Sequence, residues 1–331
     1  MEFSESKSID VVGLGNALMD FLVEVDEEVL AKTELAKGSM QLVDEKKAKE
    51  LLKSLTNTKF LTTPGGAAAN TIKAVAALGG DTVLFAKVGE DEHGSAYIEA
   101  IELHGVTSRI TKHTSTTGHA LTFITPDAQR TFSVHLGAAL TLGKEDILEE
   151  DIANAKILHL EAFQFEGPTQ ETVLHAIEVA KKHNTLISVD LADSLLIERN
   201  LDLFKEVVKR DIDILFCNED EGKAFTGKEG KEALEIMAGM ADTAILKLGE
   251  KGSLISIDGE VIEIEAFKTV AVDTTGAGDT YAAGFLYGLT HGWNTEKSGN
   301  LGSLLASKVI AKVGVDILDI DIKAIYTEIG Q

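Results

Sequence analysis

Apolar and polar positions along the chain follow two rhythms. From residue 80 onward, short apolar runs alternate with amphipathic segments. TVLFAKVG (82–89), KILHLEAF (156–163), TLISVDLA (185–192), DILFCN (213–218) and AILKLG (244–249) read as buried strands. Between them lie helical stretches. One is 94–104, with Tyr97, Ile98 and Ile101 at helical spacing; another is 169–183, with Val173, Leu174, Ile177 and Ala180 on one stripe. Strand–helix alternation predicts an α/β fold, a mostly parallel sheet covered by helices on both faces. In such sheets ligands bind beyond the strand C-termini.

The second rhythm is strict alternation. FLVEVD (21–26), GSMQLVD (38–44), ALTFIT (120–125) and RTFSVHL (130–136) alternate as half-exposed strands do, the last two joined by the turn signal Pro126-Asp127. They predict a small β-sheet with one wet face, inserted into the first half of the larger domain. ISIDGEVIEI (255–264) reads as a separate hairpin turning at Asp258-Gly259. Without repeats, low-complexity segments or an interdomain linker, residues 1–331 read as a single domain.

Composition narrows the chemistry. At 44% hydrophobic and 26% charged the chain is globular rather than disordered. Its formal net charge of −23 argues against nucleic acid as a partner, because phosphate binding needs a basic footprint. No apolar run reaches the roughly 18–20 residues of a membrane helix, and the opening MEFSESKSID lacks the apolar stretch of a secretory signal. The single cysteine, Cys217, forms no internal disulfide and suits a reducing compartment. A cytoplasmic protein is expected.

Three stretches carry chemistry. In DTTGAGDTYAAGFLYGL (273–289), Gly276, Ala277 and Gly278 are small enough to bring backbone N–H groups against a ligand, and a helix starts at Asp279 or Thr280. Amides at a helix N-terminus make an anion site suited to a transferring phosphoryl group, and a carboxylate beside it can accept a hydroxyl proton. The same string also reads as an N-cap after a turn. In TPGGAAANTIKAVAALGG (63–80), Gly65 and Gly66 precede an Ala-rich helix whose first turn carries Asn70, a donor and acceptor for a hydroxyl. Ala67 to Ala69 read as a tight packing site. In VVGLGNALMD (11–20), Gly13 and Gly15 lack a third glycine, Leu18 standing in its place, so a dinucleotide fingerprint fails. Asn16 and Asp20 instead end that strand with side chains able to grip a diol. A P-loop and a zinc motif are both absent.

Taken in order, these segments resemble the ribokinase-like (PfkB-type) carbohydrate and nucleoside kinases. GNALMD resembles that family's first substrate motif, GGAAANTIKAVAALGG its N-terminal signature and DTTGAGDTYAAGF its C-terminal one. Asn218-Glu219-Asp220-Glu221 matches its Asn-x-x-Glu element, and KLGEKGS (247–253) its strand-end glycine loop. The resemblance implies an ATP- and Mg²⁺-dependent kinase whose lid is formed by about 21–44 and 114–136. It makes Asp279 the base for a primary hydroxyl and the amides of Gly276, Ala277 and Gly278 the anion hole. Asn16, Asp20, Gly65, Gly66 and Asn70 would hold substrate hydroxyls. Asn218 and Glu221 would act on Mg²⁺ through water, with Glu219 and Asp220 left as solvated charges. Lys247, Gly249 and Gly252 would line the nucleotide, and Asn300 and Ser303 its adenine side. Asp273 and Thr275 sit where many relatives bind a monovalent cation such as K⁺. Arg130, on the lid hairpin, would meet phosphate charge on closure or remain a surface arginine.

GN-x-L-x-D, GGAAAN, KGSMQLVDE (37–45), PDAQRTF (126–132) and HLGAAL (135–140) resemble an adenosine-kinase-like subgroup. A base needs flat apolar neighbours, and Leu18, Met40, Phe123 and Phe163 are candidates that equally fit lid and core packing. Gln164 stands where some nucleoside kinases carry a second aromatic residue. The expected acceptor is a nucleoside, adenosine first, at its 5′-type hydroxyl. The alternative is a sugar kinase of the ribokinase, fructokinase or ketodeoxygluconate kinase type. Neither a nucleic acid nor a membrane is an expected partner, and the fold suits a monomer or a homodimer.

Overall fold

The molecule is built on two sheets, seen in a computed structural model that describes residues 3–4, 6–55, 58, 60–127, 129–312, 314 and 320–330. Ala128, inside the expected lid stretch 114–136, lies outside the described residues, as do the remaining positions of the span 1–331. In chain order the first strands are β1 (Ile9–Leu14), β2 (Leu18–Glu24), β3 (Met40–Leu42), β4 (Leu61–Gly65), β5 (Thr82–Gly89), β6 (Thr107–His113) and β7 (Gly118–Ile124). Then follow β8 (Arg130–His135), β9 (Ala155–Glu161), β10 (Leu186–Asp190), β11 (Ile214–Asn218), β12 (Thr243–Lys247), β13 (Ser253–Ile257) and β14 (Glu260–Ile264).

The nine-stranded sheet runs β14-β13-β12-β11-β10-β9-β1-β5-β6. It is parallel from β6 to β12, and β13 and β14 are antiparallel. The 255–264 hairpin is therefore not separate: it extends this sheet, because Leu254 and Ile255 pair with Leu246 and Ile245 and stay buried. Successive strand residues feed opposite faces. Ile214 and Phe216 join the core under the helices Ala67–Ala77, Ala277–Thr290 and Thr295–Val309, whereas Leu215 and Cys217 join the core under Gln170–Lys182, Leu201–Asp211 and Gly230–Ala238. Burial on both faces explains why these strands are continuous apolar runs. Among the described residues, no helix is long and apolar enough to cross a membrane.

The second sheet has the order β3-β8-β7-β2-β4. It departs from expectation in two ways. β4, with its Pro64-Gly65 end, carries no alternating pattern and joins the sheet by pairing with β2. Asp20 does not end β1, which stops at Leu14; it lies inside β2, opposite Thr63 on β4 and Ala120 on β7. One face of this sheet, with Met19, Phe21, Val23, Leu121 and Phe123, packs into the main core. Leu18, Asp20, Leu22, Ala120, Thr122, Phe132 and Val134 share the other face by register.

Candidate active site

The site forms where the parallel strands end and the second sheet leans over them. The helix Ala277–Thr290 begins after Gly276, whose φ of 74° is a left-handed conformation that a glycine adopts without strain. Gly276 is thus the N-cap and Asp279 lies in the first turn, so the N-cap reading of Asp279 is replaced. Amides of a first helical turn have no carbonyl within the helix to bond and can face an anion; here the Ala277 N–H donates to the Thr274 carbonyl outside the helix at 3.2 Å. Asp279 Oδ2 accepts a hydrogen bond from Asn70 Nδ2 at 2.9 Å, and its carbonyl accepts one from Thr71 Oγ1 at 3.1 Å. Burial pushes the Asp279 carboxyl up to about 7; the Asn70 hydrogen bond and Lys247 oppose this, and Asp190 and Glu161 add to it. A carboxylate of that basicity is matched to accept a proton near neutral pH.

Asp20 faces the same space. Burial raises it to about 7, with Lys73 opposing and Asp279 adding. A β-carbon on Gly65 would fall on the Asp20 carboxylate, and one on Gly66, at φ 100°, would fall on the Asn16 carbonyl. Both glycines are therefore demanded by close approach. The strand end is pinned by Tyr97, whose hydroxyl donates to the Gly65 carbonyl at 2.8 Å, and by Lys73 Nζ, which donates to the Pro64 carbonyl at 2.6 Å. Asn70 Oδ1 is buried without a partner, an acceptor able to take a hydroxyl. Asn16, Asp20, Gly65, Gly66, Asn70 and Asp279 are thus brought together.

Behind them sits Glu161, 1% exposed at the end of β9. Its Oε1 accepts from the Asn16 N–H at 3.1 Å and its Oε2 from the Ala68 N–H at 3.0 Å, tying the Asn16 and Ala68 segments to each other. Burial raises its carboxyl, and the two backbone hydrogen bonds oppose that rise.

At the end of β11, Asn218 caps the helix Glu219–Thr226 in a capping box with Glu221. Glu221 Oε2 accepts from the Asn218 N–H at 2.8 Å, and Glu221 Oε1 accepts from Asn218 Nδ2 at 2.6 Å. Burial pushes Glu221 up to about 7, against the pull of Lys247. Lys247 ends β12 and pairs with Asp190 Oδ2 at 2.6 Å, and a β-carbon on Gly278 would lie 2.9 Å from its Nζ. Burial alone would lower Lys247; Asp190 and Glu221 hold it above its ordinary value. This places an ammonium directly under the turn that opens the Ala277–Thr290 helix. Gly249 and Gly252 have positive φ, and at Gly252 a side chain would fall on the Ile264 carbonyl. Asn300 borders a surface pocket with Phe267 and Lys297, and Ser303 Oγ is engaged by the Glu265 carbonyl at 2.9 Å. Among the described residues, no group of three His, Cys, Asp or Glu can hold a metal ion. Glu221 and Asn218 are committed to each other, a donor set that fits Mg²⁺ carried on phosphates and water rather than on carboxylates alone.

Phe123 and Phe163 do not meet. Phe123 has no exposed surface and lies on the core face of the small sheet. Phe163 is half-buried after β9, against the opposite core. The aromatic side chain on the Asp20 face is Phe132, opposite Thr122 on β7 and flanked by Met40 on β3. One residue of pleat separates the two assignments. Glu161, Asp190, Lys73 and Phe132 were not expected. A lone carboxylate closing an apolar strand, as in KILHLE and LISVD, is the sequence signal that marks the first two.

Comparison with known proteins agrees with this fold. The family model for the pfkB family carbohydrate kinase matches residues 38–322. A 5-dehydro-2-deoxygluconokinase from Bacillus velezensis is 28% identical over 324 residues, covering 94% of this chain and 91% of that protein. Among solved structures, a probable sugar kinase from Rhizobium etli superposes with a TM-score of 0.90 at 30% identity, over 98% of this chain and 99% of that one. An adenosine kinase from Sinorhizobium meliloti gives 0.88 at 31% identity, over 97% and 99%.

Proposed function

The chain belongs to the pfkB family of carbohydrate kinases and is an ATP-dependent kinase acting on a sugar or nucleoside hydroxyl; from that premise we propose that its acceptor is a nucleoside, adenosine first, phosphorylated at the 5′-type hydroxyl. One observation carries this reading. Around Asp20 that lid face is mostly apolar, with Leu18, Leu22, Ala120, Phe132 and Val134 on it and the half-exposed Met40 beside Phe132; Thr122 lies among them and Arg130 at the strand end. A sugar is polar all round and gains little from such a wall, whereas a purine gains burial and stacking.

Asp20 and the free Oδ1 of Asn70 take the ribose hydroxyls, and Gly65 and Gly66 keep the chain close enough for them to do so. Asp279 removes the proton of the attacking hydroxyl. The amides of Gly276, Ala277 and Gly278 and the Lys247 ammonium face the charge on the transferring group, so that catalysis is mostly positioning and charge stabilisation. MgATP supplies the phosphoryl group, with Asn218 and Glu221 acting through water and Asn300 on the adenine side.

A sugar acceptor is the second reading, favoured by the sugar-kinase relatives. A sugar acid would require a cation for its carboxylate. On the Asp20 face of the lid strands the cation is Arg130, already paired with Asp273. ADP release measured with adenosine, guanosine, inosine, cytidine, ribose, fructose and ketodeoxygluconate separates the two. The nucleoside reading requires kcat/KM for a nucleoside to exceed that for every sugar; a preferred sugar replaces it.

A further inference from the structure

Arg130 opens β8 and reaches out of the lid to the loop that precedes the anion-binding turn. Its Nη2 lies 2.8 Å from Asp273 Oδ2, and its Nη1 donates to Thr275 Oγ1 at 3.1 Å. Asp273 is buried and also held by the backbone: Oδ1 accepts from the Thr275 N–H at 3.0 Å and Oδ2 from the Gly314 N–H at 2.7 Å. Burial alone would raise this carboxyl; those backbone hydrogen bonds and the Arg130 charge hold it below its ordinary value. The two residues at which a monovalent cation was expected therefore face a guanidinium belonging to the chain itself.

We infer that Arg130 takes the place of a monovalent cation at Asp273 and Thr275, so that the lid supplies the charge that holds the loop in front of Gly276. A planar guanidinium reaching two oxygens fixes direction as well as charge, which a spherical ion does not. Thr275 is covalently joined to Gly276, so the contact also links lid position to the anion hole. Arg130 acts through that loop and is a positioning residue. The inference rests on the proposed reading of residues 276–279 as the phosphoryl site.

The test uses the full chain with MgATP and its preferred acceptor, in tetramethylammonium buffer with and without added K⁺. Wild-type turnover is expected to stay within about twofold between the two. Arg130→Met should lose about tenfold or more in kcat, and K⁺ should restore several-fold of it, with Arg130→Lys falling between. Melting temperature supplies a readout independent of turnover: K⁺ should raise it for Arg130→Met and leave the wild type unmoved, because a ligand stabilises only a protein with room for it. Strong K⁺ activation of the wild type overturns the inference. So does an Arg130→Met protein that resembles the wild type without K⁺, or one whose turnover and melting both ignore K⁺. Absence of turnover with every acceptor would remove the proposed function, and the melting comparison would still decide the role of Arg130.

Discussion

Asn70 Nδ2 donates to Asp279 Oδ2 at 2.9 Å across 209 residues of sequence. That single bond joins the first turn of the Ala67–Ala77 helix to the first turn of the Ala277–Thr290 helix. It orients a carboxylate whose burial has already raised its basicity, and it leaves Asn70 Oδ1 without a partner. On the proposed reading, the residue that holds the hydroxyl also aims the residue that deprotonates it.

Asp279→Asn should keep acceptor KM within a few-fold and cut kcat by about a thousandfold or more, the range of general-base removal combined with lost positioning. The pH profile follows from the same group. A base works when deprotonated, and the folded-state value is raised to about 7, so kcat/KM should fall as pH drops below about 7 and level off above it. Asp20, also raised to about 7 and facing Asp279, titrates in the same window, so the limb belongs to the pair. Steady-state rates across pH with the best acceptor check both statements; an acidic limb near pH 4 would remove the raised carboxylates from the mechanism.

Gly65→Ala is a steric test of the diol clamp. Gly65 needs no left-handed backbone, so alanine is tolerated conformationally, but its methyl group falls on the Asp20 carboxylate. The carboxylate must swing away from the cleft. Acceptor KM should rise by about tenfold or more while the MgATP KM stays put. An unchanged acceptor KM would show that Asp20 does not grip the substrate.

How much of this was legible beforehand depends on what each residue answers to. Asp279, Gly276 and Asn70 lie in contiguous motifs, where spacing along the chain is spacing in the site, and they are found together. The parallel strands were legible because burial on both faces writes a continuous apolar run. β4 was not, since its contribution is pairing with β2, a long-range fact that leaves no alternation in LTTPG. Glu161 and Asp190 each close an apolar strand and act on segments far away in sequence, so only the fold reveals their partners. Phe123 was a candidate and Phe132 was not, because which face of the pleat each occupies is set by strand register, which composition does not show.

Glu161→Gln tests the tie between the two substrate segments. The carboxylate accepts from two backbone N–H groups. An amide offers one acceptor and turns its NH₂ toward the other N–H, leaving a buried donor unsatisfied at a cost of about 1–3 kcal/mol. Melting temperature should fall, and acceptor KM should rise more than kcat changes, because Asn16 and Gly66 shift while Asp279 does not touch Glu161 through a hydrogen bond. Equal loss of MgATP and acceptor affinity would indicate general destabilisation instead.

Phe132→Ala and Phe123→Ala separate recognition from packing on two faces of one sheet. Phe123 is wholly buried, and its truncation should cost about 3–5 kcal/mol of stability, visible as a lower denaturant midpoint. Phe132 is partly exposed beside Met40 on the Asp20 face, so its truncation leaves little cavity in the core. What it removes on the proposed reading is a flat wall for a base, about 0.5–1.5 kcal/mol of ring contact beyond area burial. Nucleoside KM should therefore rise several-fold in Phe132→Ala, with the melting temperature nearly unchanged, while KM for any accepted free sugar stays as it was. A sugar KM that rises in parallel would assign Phe132 to lid closure in general, and the apolar face would no longer argue for a base.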